Sequence, residues 1–210
     1  MMQQQTVFVV DDDPATCELV AELVRSVSLP VRTFTDGTSF LAAVQGRGCA
    51  VLDVRMPGLS GLEVQARLLE RRPLVPVVFV TAHADVTTAV RVIQAGAIDV
   101  IQKPFSGQLL LDRVQRALEL EARAWRREAE EQDGRARLAR LSAREKNVLD
   151  LLVGGASTRR IAAVAGVSVK AATAHRRAVM RKTGVQSLAD LVRLVIGLHG
   201  NWRGLGPSQP

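Results

Sequence analysis

Apolar residues follow two different rhythms along this chain. From Thr6 to about Leu120, short apolar runs alternate with longer amphipathic stretches. The runs Thr6–Val10, Val31–Phe34, Cys49–Leu52, Pro76–Val80 and Ile98–Ile101 are rich in β-formers and read as strands. Between them, helical spacing predicts helices from Pro14 to about Val27, Thr38–Val44, Gly61 to about Arg71, Val86–Ala95 and Gln108–Leu120. Pro14 suits a first helical turn, and Asp13 before it suits a cap. From Leu141 onward only the helical rhythm remains. Leu141–Val153, Thr158–Val164, Val169–Thr183 and Ser187–Gly197 read as four helices. Ser142 with Glu145 has the spacing of a capping box.

Strand–helix alternation repeated five times predicts an α/β fold, a doubly wound five-stranded parallel sheet covered on both faces. The all-helical remainder predicts a small all-α four-helix domain. Its short helix, Gly166 turn and longer second helix have the layout of a helix-turn-helix. The chain of 210 residues therefore divides into a first domain over 1–121, a partly helical linker over 122–140, a second domain over 141–199 and a disordered Gly/Pro-containing tail over 200–210. Gly134 is expected to interrupt the linker helix.

Charge sharpens this division. Residues 1–134 hold 14 Lys/Arg against 18 Asp/Glu, a net −4. Residues 135–210 hold 14 against 3, a net +11, the footprint of a phosphate-backbone binder. Aromatic residues are only 3% of the chain, which argues against RNA or single-strand recognition by stacking. No apolar run approaches the ~18 residues of a membrane span, and Met1–Thr6 lacks the pattern of a secretory signal, so a cytoplasmic protein is expected. Cys17 and Cys49 form no metal-type pair and read as buried thiols in a reducing compartment.

In parallel sheets, ligands bind beyond the carboxyl ends of the strands. Here those ends carry Asp11-Asp12, Asp53, Thr81 and Lys103. A carboxylate can take up a phosphoryl group, but neighbouring acids and the anionic donor repel one another. A divalent cation such as Mg²⁺, which prefers a few carboxylates plus water and phosphate oxygens, relieves that repulsion. Lys103 and the Thr81 hydroxyl can each meet a phosphoryl oxygen.

The stretches VFVVDDDP, VLDVRMPGLSG, VFVTAHADV and AGAIDVIQKPF make residues 6–121 resemble the receiver domain of two-component response regulators. The stretch LSAREKNVLDLLVGG, with RRIAAVAGVSVKAATAHRRAVMRKTGVQSLADLV, resembles a LuxR-type helix-turn-helix. Together they resemble the NarL/FixJ family, and the receiver resemblance implies that the parallel sheet is of flavodoxin-like type. The resemblance implies that Asp53 is the phosphoacceptor and that Thr81 and Lys103 are the switch pair. It implies a Mg²⁺ site of Asp12, Asp53 and the Arg55 backbone carbonyl, with Asp11 assisting through water, and a cis Lys103–Pro104 bond. His83 is expected to tune hydrolysis from a loop. Many receivers carry Tyr or Phe where this chain has Val100, so the Thr81 shift and a rearranged fourth helix and fifth strand are expected to carry the signal.

On the helix-turn-helix, Lys170, Thr173, Arg176 and Arg177 are expected to face bases or phosphates. Arg159, Arg160 and Lys182 are expected to reach phosphates, which position without specifying. The implied function is a phosphorylation-dependent transcriptional regulator, not an enzyme in the ordinary sense. Its implied partners are a sensor histidine kinase, double-stranded promoter DNA, a second copy of the chain on phosphorylation, and RNA polymerase. An aspartyl-phosphate phosphatase is the enzymatic rival. Such enzymes place the nucleophile after the first strand in an Asp-x-Asp pattern, whereas Asp53 follows the third and the helix-turn-helix would go unexplained. A signalling adaptor is a second rival, disfavoured by the helix-turn-helix spacing and the scarcity of aromatics.

Overall fold

A computed structural model of the chain describes residues 4–45, 47–71, 75–82 and 85–199. His83 and the tail from Gly200, both assigned roles or character above, lie outside the described residues. The first ten elements are β1 Thr6–Val10, α1 Pro14–Ser26, β2 Val31–Phe34, α2 Gly37–Ala43, β3 Gly48–Leu52, α3 Gly61–Arg71, β4 Val77–Thr81, α4 Val86–Gln94, β5 Asp99–Gln102 and α5 Gly107–Ala139. Four helices follow: α6 Ala143–Val153, α7 Thr158–Ala165, α8 Val169–Thr183 and α9 Leu188–His199.

The five strands form one parallel sheet in the order β2-β1-β3-β4-β5. Successive side chains on a strand point to opposite faces, so the sheet sorts its apolar residues into two cores. Phe8, Val10, Leu52 and Phe79 join Phe40 of α2, Val64 and Leu68 of α3, and Val92 of α4. Val7, Val9, Val51, Val78 and Val80 join Val20 and Val24 of α1 and Leu110 and Val114 of α5 on the other face. Burial on both faces explains why β3 and β4 read as unbroken apolar runs rather than alternating ones. Asp13 caps α1 as expected, accepting from the backbone N–H of Ala15 and Thr16.

The helices α6 to α9 enclose a third core of Leu141, Val148, Leu149, Leu152, Ile161, Ala172, Val179, Leu191 and Val195. The capping box of Ser142 and Glu145 is present, and Gly166 takes the left-handed conformation at the end of α7 with φ 63°. Thr183 is fully buried. Its hydroxyl donates to the Val179 carbonyl at 2.7 Å, so the polar group enters the core satisfied.

One expectation fails. Gly134 does not interrupt a helix: α5 runs unbroken from Gly107 to Ala139. The reason is packing. A Cβ at Gly134 would stand 3.0 Å from Leu194 Cδ1 and 3.1 Å from Leu198 Cδ2, so the missing side chain lets α5 and α9 approach closely. Leu138 of the same segment packs against the third core. The chain divides into two compact units, Met1–Trp125 and Arg126–Pro210, and the division falls inside α5. Among the described residues, no helix is long and apolar enough to cross a membrane.

Candidate phosphoryl-acceptor pocket and nucleic-acid interface

The strand ends bring the acidic residues together. Asp11 follows β1 and Asp53 follows β3, and these two strands are hydrogen-bonded neighbours; Val10 pairs with Leu52 one residue before the two acids. The Asp53 N–H donates to the Val10 carbonyl at 2.8 Å, extending the ladder to the acids themselves. Carboxylate oxygens of Asp11, Asp12 and Asp53 lie within 4.8 Å of one another, a spacing that fits a metal ion. Asp11 is 3% exposed, Asp12 is exposed, and Asp53 lies between them in burial. The site is therefore anchored below and open above.

Lys103, off the end of β5, reaches across to both acids. Its Nζ stands 2.6 Å from Asp11 Oδ2 and 3.2 Å from Asp53 Oδ2. The Lys103 N–H donates to the Thr81 carbonyl at 2.8 Å, so β4 fixes where Lys103 starts. The Lys103–Pro104 bond is cis, as the resemblance implied. Burial raises the Asp11 pKa from its ordinary value, against the hydrogen bond from Lys103. Burial also works to lower the Lys103 pKa. The hydrogen bond to Asp11 and the charges of Asp11 and Asp53 outweigh it, so Lys103 is raised above its ordinary value.

The loop after Asp53 is held by a close approach. The Gly61 N–H donates to the Val54 carbonyl at 3.0 Å, and a Cβ on Gly61 would stand 2.1 Å from the Asp53 carbonyl oxygen and 2.8 Å from the Phe79 ring. Only glycine lets α3 begin so near the acid. The Arg55 N–H donates to Asp53 Oδ1 at 3.3 Å within this loop. Thr81, the last residue of β4, is 1% exposed. Val100 sits opposite Phe79 in the β4–β5 pairing and packs against the first core.

In the second unit, the exposed surface of α8 carries the expected basic residues. Ala172, Val179 and Thr183 turn inward. Lys170, Arg176, Arg177 and Arg181 are exposed, with Thr173 half-buried among them. Thr158, Thr173, Arg176, Arg177, Arg181 and Gln186 line one groove of about 590 Å³. Arg159 and Arg160 are exposed on the first turns of α7, which Ser157 caps.

Lys182 is differently placed. Its Nζ is held at 2.6 Å by Glu145 Oε2, whose own pKa is lowered to about 2 by the bonds from Lys182 and the Ser142 backbone. The capping box thus doubles as the counter-ion of a lysine on α8. Another arrangement escaped the sequence reading. Glu121 of α5 is buried and accepts from Arg47 Nε at 3.0 Å, Arg47 Nη2 at 2.8 Å and Gln5 Nε2 at 2.7 Å. Arg47 in turn lies over Trp125, 5.3 Å from the ring centre. Gln5 and Glu121 are 116 positions apart in sequence, and only the charged residue inside the apolar spacing of α5 could have hinted at the cluster.

Comparison with known proteins agrees with both units. Residues 7–115 match the response regulator receiver domain, and residues 139–195 match the luxR family of bacterial regulatory proteins. The transcriptional regulatory protein TdiR of Thauera aromatica is 40% identical over 193 residues, covering 91% of this chain and 85% of that one. FixJ of Bradyrhizobium diazoefficiens is 37% identical over 192 residues, covering 90% and 94%. Among solved structures, the response regulator StyR superposes with a TM-score of 0.84 at 39% identity, covering 91% of this chain and 98% of that one. Receivers paired with LuxR-type domains form a family of transcriptional regulators rather than of conventional enzymes. The chain belongs to the NarL/FixJ family of two-component response regulators, a receiver domain joined to a LuxR-type DNA-binding domain.

Proposed function

We propose that Asp53 accepts a phosphoryl group from a sensor histidine kinase and that this controls binding of residues 141–199 to promoter DNA. A carboxylate oxygen of Asp53 attacks phosphorus, the P–N bond to the kinase imidazole breaks, and the imidazole leaves with the proton it needs. The observation that carries this reading is the Lys103 ammonium set between Asp11 and Asp53, at 2.6 and 3.2 Å, beside a third carboxylate. Asp11, Asp12, Asp53 and the Arg55 backbone carbonyl are the residues that would hold Mg²⁺. When bound, Mg²⁺ offsets the charge that gathers as the phosphoryl group arrives. Lys103 then turns from the carboxylates to a phosphoryl oxygen, and the Thr81 hydroxyl meets another. Val100 has no ring to turn inward, so the signal leaves through Thr81 and the α4–β5 segment.

On the DNA side, Lys170, Thr173, Arg176 and Arg177 approach the major groove, and Arg159 and Arg160 approach phosphates. Lys182 contributes to phosphate binding only through the donors that Glu145 leaves it. Phosphorylation pairs two copies, so that two helix-turn-helix units meet two half-sites and each weak module gains effective concentration. RNA polymerase is the further partner of the DNA-bound form, and the cytoplasm is where kinase, DNA and polymerase meet. Residues 1–121 act as receiver, and 122–140 as the connection.

Incubation with Mg²⁺ and a small phosphodonor should add one phosphoryl mass and shift the oligomer size of the wild type. Asp53→Asn should show neither change. Mass gain in the variant, or none in the wild type, would defeat the assignment. Binding to duplex promoter DNA should weaken steeply with salt.

A further inference from the structure

The exposed face of α8 is not uniformly basic. An apolar island adjoins Lys170 and Arg177. Val169 is 51% exposed, Ala174 is exposed, and Thr173 stands one helical turn after Val169 on the same face. Thr173 belongs to this island because of where its hydroxyl goes. Its Oγ1 donates to the Val169 carbonyl at 2.8 Å. A threonine hydroxyl has one hydrogen to give, and here the helix has taken it. What remains for a ligand is the Cγ2 methyl and an oxygen able only to accept.

Phosphate offers only acceptors to a neutral side chain, so this spent hydroxyl is a poor phosphate contact. Of the base edges in the major groove, thymine alone presents a methyl group to an apolar partner. We propose that Thr173 is a specificity-determining residue that reads a thymine C5-methyl group through its own Cγ2 methyl, with Lys170 and Arg177 reading or bracketing the flanking base pairs. The inference rests on the DNA-binding reading above and deepens it. Thr173 and Arg177 are four residues apart, about 6 Å along the helix, or about two base-pair steps for a helix lying along the groove. Arginine pairs best with guanine. The preferred half-site therefore holds a thymine about two base pairs from a G·C pair.

The test uses the full-length chain treated with Mg²⁺ and phosphodonor. Sites are first selected from a random duplex pool. Each thymine in the best site is then replaced singly by deoxyuridine, which removes only the C5 methyl. One position per half-site should lose about fourfold in affinity, the fold-change that ~0.8 kcal/mol for one buried methyl-sized group implies. Thr173→Val, which keeps the methyl and removes the hydroxyl, should retain that penalty. Thr173→Ser, which keeps the hydroxyl and removes the methyl, should bind thymine and uracil sites equally.

A Thr173→Ser protein that still discriminates against uracil overturns the proposal. So does a Thr173→Val protein that loses binding while Thr173→Ser keeps it, since the hydroxyl would then be the reader. A uracil penalty abolished by Ala174→Gly but not by Thr173→Ser moves the contact to Ala174 and overturns the assignment. Failure to select any duplex sequence refutes the DNA-binding reading itself, a result distinct from each of these.

Discussion

Arg47 and Glu121 make the sharpest quantitative prediction about the receiver. Glu121 is buried to 1% side-chain exposure and Arg47 to 12%, joined by two charge-assisted hydrogen bonds at 2.8 and 3.0 Å. Replacing Arg47 by Met preserves much of its apolar stem but, among the described residues, leaves the Glu121 carboxylate with the Gln5 amide and without its guanidinium partner. Stranding one member of a buried ion pair costs ~3–5 kcal/mol. For a unit of this size, each kcal/mol moves the midpoint by about 3–5 °C, so Arg47→Met should lower it by about 9–25 °C. The double variant Arg47→Met with Glu121→Leu removes both charges and should recover most of the loss, because an apolar pair of similar volume is often as stable. Trp125 reports the event directly, since Arg47 lies over its ring. A Trp202→Phe background leaves Trp125 as the single fluorophore. Urea titration followed at Trp125 then gives the double-mutant cycle. A single-variant cost under ~1 kcal/mol, or a double variant no better than the single, would refute the argument that burial makes this pair indispensable to its own partners.

Three further outcomes follow from other contacts. The Glu145 pKa is lowered to about 2, so its contribution to stability is present above its ordinary value and fades as pH falls from about 4.5 towards 2; the stability gap between wild type and Glu145→Gln, measured by urea unfolding, should be largest near pH 5 and close on acidification, and a gap independent of pH would contradict the ion pair. Gly134→Ala should be near neutral, since a helix-propensity gain of ~1 kcal/mol offsets displacement of two flexible leucine tips, whereas Gly134→Leu should cost ~1–3 kcal/mol by overpacking against α9; thermal unfolding that ranked the leucine variant above the alanine would argue against close packing there. Lys103→Met should tighten Mg²⁺ binding in calorimetry by about tenfold (~1.4 kcal/mol) by removing a cation that competes for Asp11 and Asp53, and weaker binding would overturn that competition.

The sheet was legible because its rule is local. Both faces are buried, so each strand shows as an apolar run, and an acid or hydroxyl marks where each run leaves the core. Even the one-residue offset at β4, Val77–Thr81 rather than Pro76–Val80, follows from local chemistry. Pro76 has no N–H to give the ladder, although its carbonyl accepts from Ala50 at 2.9 Å. The acidic pocket was legible for the same reason, as strand ends converge by topology alone. Helix propensity misled at Gly134, where a contact made by Leu194 and Leu198, some sixty residues away, decides in favour of glycine. Lys182 looked like any basic residue on α8 until Glu145, 37 positions earlier, was found beside it. The Gln5–Arg47–Glu121–Trp125 cluster was invisible in sequence because each member is ordinary in its own neighbourhood. What escaped was in every case a side-chain partnership between distant segments, which no periodicity encodes.

The pocket around Asp53 also has a valence. Among the described residues, its three carboxylates and the Lys103 ammonium, which pairs with Asp11 and Asp53, leave a formal charge of −2. A single divalent ion cancels it, a monovalent ion leaves the acids still repelling the incoming donor, and a trivalent ion overshoots. Discrimination among cations here begins with charge, before ionic radius or coordination number enters. Any substitution that alters the count, such as Asp12→Asn, changes which class of ion the pocket neutralises as well as how tightly it holds one.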